Sequence, residues 1–488
     1  MDFNYLSAII FLPLMGAALV AFIPGLNRKW IRGISLVTTL ASFALAVTVF
    51  ILFDRSRLGM QFEEFYTWIP VINANYHLGV DGLSMPLMVL TTFLGLMVIL
   101  ISWKEETRVR EYFAWLLLLE TSILGVFCSL DLLLFFVFWE IEVIPMYFLI
   151  SIWGAGRKEY SSIKYVIYTL FGSAFMLAGI LTVYFTTGSL NIVELTQNGI
   201  VAGAIPAVAM FFLLLVGFAI KLPVFPLHTW LPDAHTDAPT AGSVMLAGAL
   251  IKMGGYGIIR IVVSFFPDVA KQYSVWMVAL AVIGIVYGAA VTLRQTDLKR
   301  MIAYSSVSHM GMVLLGVFTL SEVSMTGASL QMVSHGLLTG LLFAMAGFTM
   351  HSTGERDLRK LGGLARQLPV ATVVFSIAGL GSLGLPLTSG FAAEFITFTG
   401  SFSSGAFDGV KIFVIISVIG VVLAAGYILW MLQRVFYGPP QPQFDHAHDA
   451  DTLEKIYMFA FVILIILVGI YPAILTDVMK LGIAPLVK

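Results

Sequence analysis

Windows of about eighteen or more nearly uncharged residues recur along the whole chain, each long enough as a helix to cross a hydrocarbon core of roughly 30 Å. A water-soluble domain cannot bury so many such windows. Charged residues make up 11% of the 488-residue chain and hydrophobic ones 59%, whereas soluble domains carry about a quarter charged residues. The windows are too long and too uniformly apolar for the short alternating strands of a membrane barrel.

Dividing the chain at charged or Pro/Gly-rich stretches predicts spans near 5–24, 31–53, 83–103, 112–130, 131–153, 164–187, 205–227, 240–263, 274–293, 300–319, 325–350, 370–400, 408–436 and 456–478. The expectation is therefore an all-α membrane protein of about fourteen helices, 1–488 forming one polytopic domain. Met1 to Val20 lacks a basic leader and reads as the first span rather than a cleaved signal.

Basic residues favour the cytoplasmic side. Alternate connections, read as the inner ones, hold Arg28, Lys29, Arg32, Lys104, Arg108, Arg110, Arg157, Lys158, Lys164, Arg294, Lys299, Arg300, Arg356, Arg359, Lys360, Arg366, Arg434 and Lys455. The others hold Arg55, Arg57, Arg260, Lys271, Lys411, Lys480 and Lys488. That imbalance predicts both termini on the outer side, most simply of a bacterial inner membrane. Asp54 to Asp81 is the one sizeable polar insertion and is expected to lie along the outer surface. The acidic, Pro-rich segment Tyr437–Glu454, with His446 and His448, reads as a solvated loop in preference to a metal site.

A net charge of -1 gives no basis for nucleic-acid binding. The single cysteine, Cys128, excludes an internal disulfide or a four-cysteine iron–sulfur cluster within the chain and reads as a small core residue. Gly379, Gly381 and Gly384 spell a dinucleotide-like pattern, but they lie in an apolar span just before Pro386, so close helix packing and a helix break explain them better. No cofactor is expected on the chain.

The informative residues are ionisable groups inside the spans. Glu140 and Glu142 lie near the middle of the fifth span; two residues apart, they point to nearly opposite faces, and Glu140 is favoured as the deeper. Lys221 precedes Pro223 and Pro226, which are expected to leave the carbonyls of Ala219 and Leu222 without helix partners. Lys252 lies well inside the following span beside Gly254, Gly255 and Gly257. His309 and His335 each sit about two and a half turns into a span, and Glu394 follows a second broken segment at Gly384–Pro386. Each charge at the bilayer centre costs about 2.5–3.5 kcal/mol on insertion scales. Four of them would cost on the order of 12 kcal/mol, comparable with the whole stability of a domain, so apolar residues would serve packing better. Charges kept at that cost point to ion or proton movement. The broken helix with Lys221 and the broken helix with Glu394 also echo each other, as in transporters built from repeats.

The runs Asp131–Pro145, Lys221–His235, Leu250–Gly257 and Ala303–Gly311 resemble the antiporter-like subunits of respiratory complex I, the proton-translocating NADH:quinone oxidoreductase, over essentially the whole chain. Within that family the chain is most similar to the M-chain (mitochondrial subunit 4) branch. The resemblance implies two inverted five-helix repeats, here 112–263 and 274–436, with broken seventh and twelfth helices. It implies a relay in which Glu140 partners Lys221, followed by Lys252, His309, His335 and Glu394. Glu394 stands where lysine is usual in the L and N branches and in cation/proton antiporter subunits. Expected partners are L-type and N-type membrane-arm chains, lipids and protons, with electron transfer carried out by other subunits. A sodium/proton antiporter subunit and a passive membrane scaffold are the competing readings.

Overall fold

The computed structural model describes residues 3–200 and 205–487; Met1 and Lys488, which enter the leader and charge readings, lie outside them. Helices α1 (Tyr5–Phe22) and α2 (Arg28–Leu52) precede an antiparallel hairpin of β1 (Gln61–Ile69) and β2 (Ala74–Val80). Next come α3 (Ser84–Ile101), α4 (Val109–Cys128), α5 (Leu132–Ile141) continuing into α6 (Val143–Trp153), α7 (Lys158–Thr187), α8 (Ile192–Asn198), α9 (Ala207–Lys221) and α10 (Trp230–Asp237). The span Thr240–Val263 consists of α11 (Thr240–Met245), a π-helical turn Leu246–Leu250, α12 (Ile251–Gly257) and a second π-helical stretch Ile258–Val263. It is followed by α13 (Pro267–Thr292), α14 (Leu298–Phe318), α15 (Glu322–Thr353), α16 (Pro369–Ser382), α17 (Ser389–Phe402), α18 (Val410–Leu432), α19 (Thr452–Ile470) and α20 (Ala473–Ile483).

Among the described residues, twelve helices are long and apolar enough to cross a membrane, and two shorter apolar helices, α9 and α16, stop at breaks. Thr240–Val263 and α15 are buried throughout their apolar windows, so these two elements form the axis of the molecule. α1, α2, α7 and α19 leave most of their windows uncovered, as helices facing lipid must.

Both expected breaks are present. After Lys221 the chain resumes as a helix only at Trp230, and after Ser382 only at Ser389. The expectation of free carbonyls at the first break is corrected at Ala219, whose carbonyl accepts from Val224 N (2.9 Å), while Ile220's accepts from the Trp230 indole (2.9 Å). These bonds let a proline-broken helix end inside the bundle.

Two other expectations change, and a third gains a definite fold. The insertion Asp54–Asp81 folds as the β1–β2 hairpin, turned at Asn73 with φ 52°, and Glu64 of β1 accepts from Leu6 N (2.7 Å) at the start of α1. The span expected over 456–478 ends at Ile470, because Tyr471 precedes Pro472 and is pushed out of helical geometry. Arg260, assigned to an outer connection, is instead buried in the second π-helical stretch and ion-paired with Asp81 (2.5 Å).

Candidate functional site: a line of buried ionisable groups

Two polar centres lie in the bundle. The first is built where α5 gives way to α6. Phe135, Trp139, Glu142, Met146 and Leu149 follow the three-to-four-residue spacing of one helix stripe, and all are buried. Glu142 therefore faces inward, and its carboxylate forms an ion pair with Lys221 Nζ. The Tyr165 hydroxyl of α7 donates to the other carboxylate oxygen (2.6 Å), and Lys221 Nζ lies 3.4 Å from the same hydroxyl. The ammonium also sits 5.5 Å from the Trp139 ring and 5.4 Å from the Tyr165 ring. Glu142, Lys221 and Tyr165 are all effectively inaccessible.

The partner of Lys221 in this structure is thus Glu142, not Glu140. Depth in the span favoured Glu140, but the rotational position about the helix axis decides which carboxylate meets the lysine, and Glu140 lies off the inward stripe. It is half-buried beside an apolar groove with Ile144, Ile163 and Leu170, with Oε1 unpartnered among the described residues. It remains close enough for its charge to act on Lys221 and Glu142.

The second centre is a line rather than a cluster. Lys252 Nζ donates to the carbonyl of Ala247, in the preceding π-helical turn, and lies 2.7 Å from His335 Nδ1 on α15. The His335 and His309 rings are 5.5 Å apart between centroids. His309 Nδ1 is 3.6 Å from a Glu394 oxygen, and its Nε2 is 3.2 Å from Ser382 Oγ at the second break. Lys252, His335, His309 and Glu394 are all buried. Gly384, with φ +82°, lies against the Glu394 carboxylate, where a side chain would intrude. Among the described residues no hydrogen bond or ion pair joins Lys221 to Lys252; the two centres meet instead through backbone packing, because Gly254 of α12 abuts Leu222 N and Phe218 O at the end of α9. The arrangement brings five of the six expected residues into two contacting sets and sets Glu140 beside the first.

Tyr165 and Ser382 were not anticipated, since a tyrosine and a serine in apolar spans carry no distinguishing sequence signal. Glu142 shares the spacing of the buried stripe, but in a span apolar all round the sequence only faintly marks which stripe faces inward.

This geometry has relatives. The signature of the NADH:quinone oxidoreductase/Mrp antiporter transmembrane family matches residues 129–420, a stretch that contains both polar centres. The chain belongs to this family. It is 38% identical to NADH-quinone oxidoreductase subunit M of Rhodobacter capsulatus, the alignment covering 99% of this chain and 96% of that one. It is 39% identical to NAD(P)H-quinone oxidoreductase chain 4 1 of Synechococcus elongatus, over 98% and 90% of the two chains. A chain of the structure titled respiratory complex I from Thermus thermophilus with bound NADH superposes with a TM-score of 0.89 at 26% identity, over 99% of this chain and 100% of that one. As a family member of the M or chain 4 type, the chain is an antiporter-like, multi-pass membrane-arm subunit of complex I.

Proposed function

We propose that this subunit carries protons along its buried ionisable groups, driven by electron transfer elsewhere in the complex. The observation that carries this reading is the contact series from Lys252 through His335 and His309 to Glu394, four titratable side chains held in sequence inside the bundle. Removing a charge pair from water costs several kcal/mol per ion, and the attraction of the partners offsets that only while they stay in contact. Opening the Lys221–Glu142 pair therefore leaves a strong unbalanced field beside Lys252. Glu140 is placed to receive the ammonium when it leaves Glu142. The change in field favours release of the proton from Lys252 to His335, and from there by His309 to Glu394, the outlet.

The relatives of the M and chain 4 type favour this role over that of a sodium/proton antiporter, and buried charges that serve no packing need disfavour a passive scaffold. We read α9–α10 and α16–α17 as further broken spans, giving fourteen, with 112–263 and 274–436 as inverted repeats. The chain is read as lacking a redox centre or cofactor of its own and as neighbouring L-type and N-type chains and lipid in a bacterial inner membrane. Both termini are read as outside. In support, Lys164, Arg157 and Arg300, from connections assigned to the inner side, converge on Asp233 at 2.7, 3.8 and 3.5 Å.

The test is Lys252→Met in the whole complex reconstituted into vesicles. The proton-to-electron ratio should fall by this subunit's share while quinone reductase protein assembles normally; an unchanged ratio would remove Lys252 from the path.

A further inference from the structure

Ile415, Ile419, Val422, Gly426, Leu429 and Gln433 of α18 and the turn after it are exposed at alternating steps of three and four residues, so one uncovered stripe runs down the helix. Ile419 lies roughly 15 Å from Leu429 at 1.5 Å per residue, which is the hydrocarbon depth of one leaflet. Beyond Leu429 the chain passes Trp430 and enters the π-helical turn Gln433–Tyr437, a geometry found mostly at functional places. Here the apolar stripe meets a cleft of about 460 Å³, lined in part by Arg359, Trp430, Gln433, Arg434 and Gln441. Arg434 lays its guanidinium over the Trp430 indole, 3.8 Å from the ring centre. Among the described residues its side chain makes no hydrogen bond and no ion pair. Arg359, by contrast, is held by Asp357 at 2.6 Å.

We propose that this cleft holds the phosphate of an anionic phospholipid whose acyl chain lies along the exposed stripe of α18. Stacking on the indole keeps the Arg434 guanidinium flat and leaves its N–H edge free, the fork that grips phosphate oxygens in pairs. The amides of Gln433 and Gln441 add neutral donors at the same rim. Trp430 is of the residue type that settles at headgroup level, one end apolar and the other wet. The cleft lies on the side of the Lys/Arg-rich connections, and basic side chains beside a membrane surface draw anionic lipids to them. A free phosphate, or an acidic segment of a neighbouring chain, would answer the charge of Arg434. Neither would cover the apolar stripe that leads into the cleft, whereas a lipid answers both. The site stands apart from the two polar centres and does not depend on the relay.

The experiment uses the whole complex in phosphatidylcholine vesicles carrying a small fraction of a lipid with a photoreactive diazirine in its acyl chain, the headgroup being either phosphatidylglycerol or phosphatidylcholine. After irradiation and digestion, mass spectrometry compares adducts on α18 with adducts on the exposed apolar face of α19, at Ile463, Leu467 and Ile470. The phosphatidylglycerol probe should be preferred on α18, relative to α19, by roughly fivefold, the preference that one basic side chain carries at an anionic surface. Arg434→Gln should abolish that preference and leave α19 unchanged. Equal preference on the two helices, or a preference that survives Arg434→Gln, would overturn the site. Where that variant does not assemble, the comparison of the two helices in unsubstituted complex decides alone. Inorganic phosphate in place of chloride at matched ionic strength should leave the label on α18; losing it would make the cleft a soluble-anion site and overturn the lipid. No label on α18 from either probe would mean that another chain covers the stripe, which overturns the proposal as well.

Discussion

The two polar centres solve the same problem differently. Around Lys221 the charges are closed on themselves: one ammonium, one carboxylate in contact and a tyrosine that fixes the carboxylate's free oxygen. From Lys252 to Glu394 the ionisable groups are strung out, each meeting the next along the line, with imidazoles in the middle. In the proposed relay a closed set would hold a charge state and an open line would pass one along. Burial, which the two centres share, does not separate them; what does is whether the ionisable groups close on one another or run on to the next.

The sharpest way to break this contrast is Glu142→Gln. With its contact charge gone, Lys221 is buried unpaired, which costs about 3–5 kcal/mol. The subunit should lose thermal stability in the detergent-solubilised complex, and the double variant with Lys221→Met should recover most of it. Wild-type stability in the single variant would mean the pair is not what holds this centre together.

Next in size is the effect of Glu394, at the far end of the open line. Glu394→Gln should block transfer through the subunit, Glu394→Asp should keep part of it, and Glu394→Lys, which still titrates, should retain a measurable fraction. Equal proton-to-electron ratios from all three would take this residue out of the line and make the second centre structural.

Glu140 sharpens the comparison because it touches neither set directly. Glu140→Gln should leave stability unchanged and lower pumping and coupled quinone reduction together. Normal pumping would confine the first centre to Glu142, Lys221 and Tyr165. The smallest effect belongs to Tyr165→Phe, which removes one hydrogen bond to a charged group and should cost about 1.5–3 kcal/mol less what water returns. Thermal melting of the complex would measure it, and a loss matching that of Glu142→Gln would show the hydroxyl to be as essential as the carboxylate it supports.

Much of this was legible in the sequence, for physical reasons that also explain the misses. Long apolar windows and Pro223, Pro226 and Pro386 fix where helices run and break. Depth along a span follows directly from residue count, so Lys221, Lys252, His309, His335 and Glu394 could be placed near the middle. The rotation about the axis that separates Glu140 from Glu142 depends on which face packs inward, and in a span apolar all round the pattern is faint. The hairpin was hidden for a different reason: Phe62 to Ile69 carries strand-forming aromatics, but its charges and position between spans marked it only as a polar insertion along the surface. His235 stood in plain view in the Lys221–His235 run, yet only three-dimensional packing shows that its ring lies flat on Phe343.

The attachment of Glu64 to the first turn of α1 bears on the order in which the chain is made. The carboxylate that caps Leu6 lies 58 residues downstream. A ribosome must therefore deliver α1 and all of α2 before the cap exists, and the cap can reach its target only if those two helices have crossed and recrossed the membrane, returning β1 to the starting face. Until that contact closes, the backbone donor of Leu6 lacks the partner it has in the folded bundle.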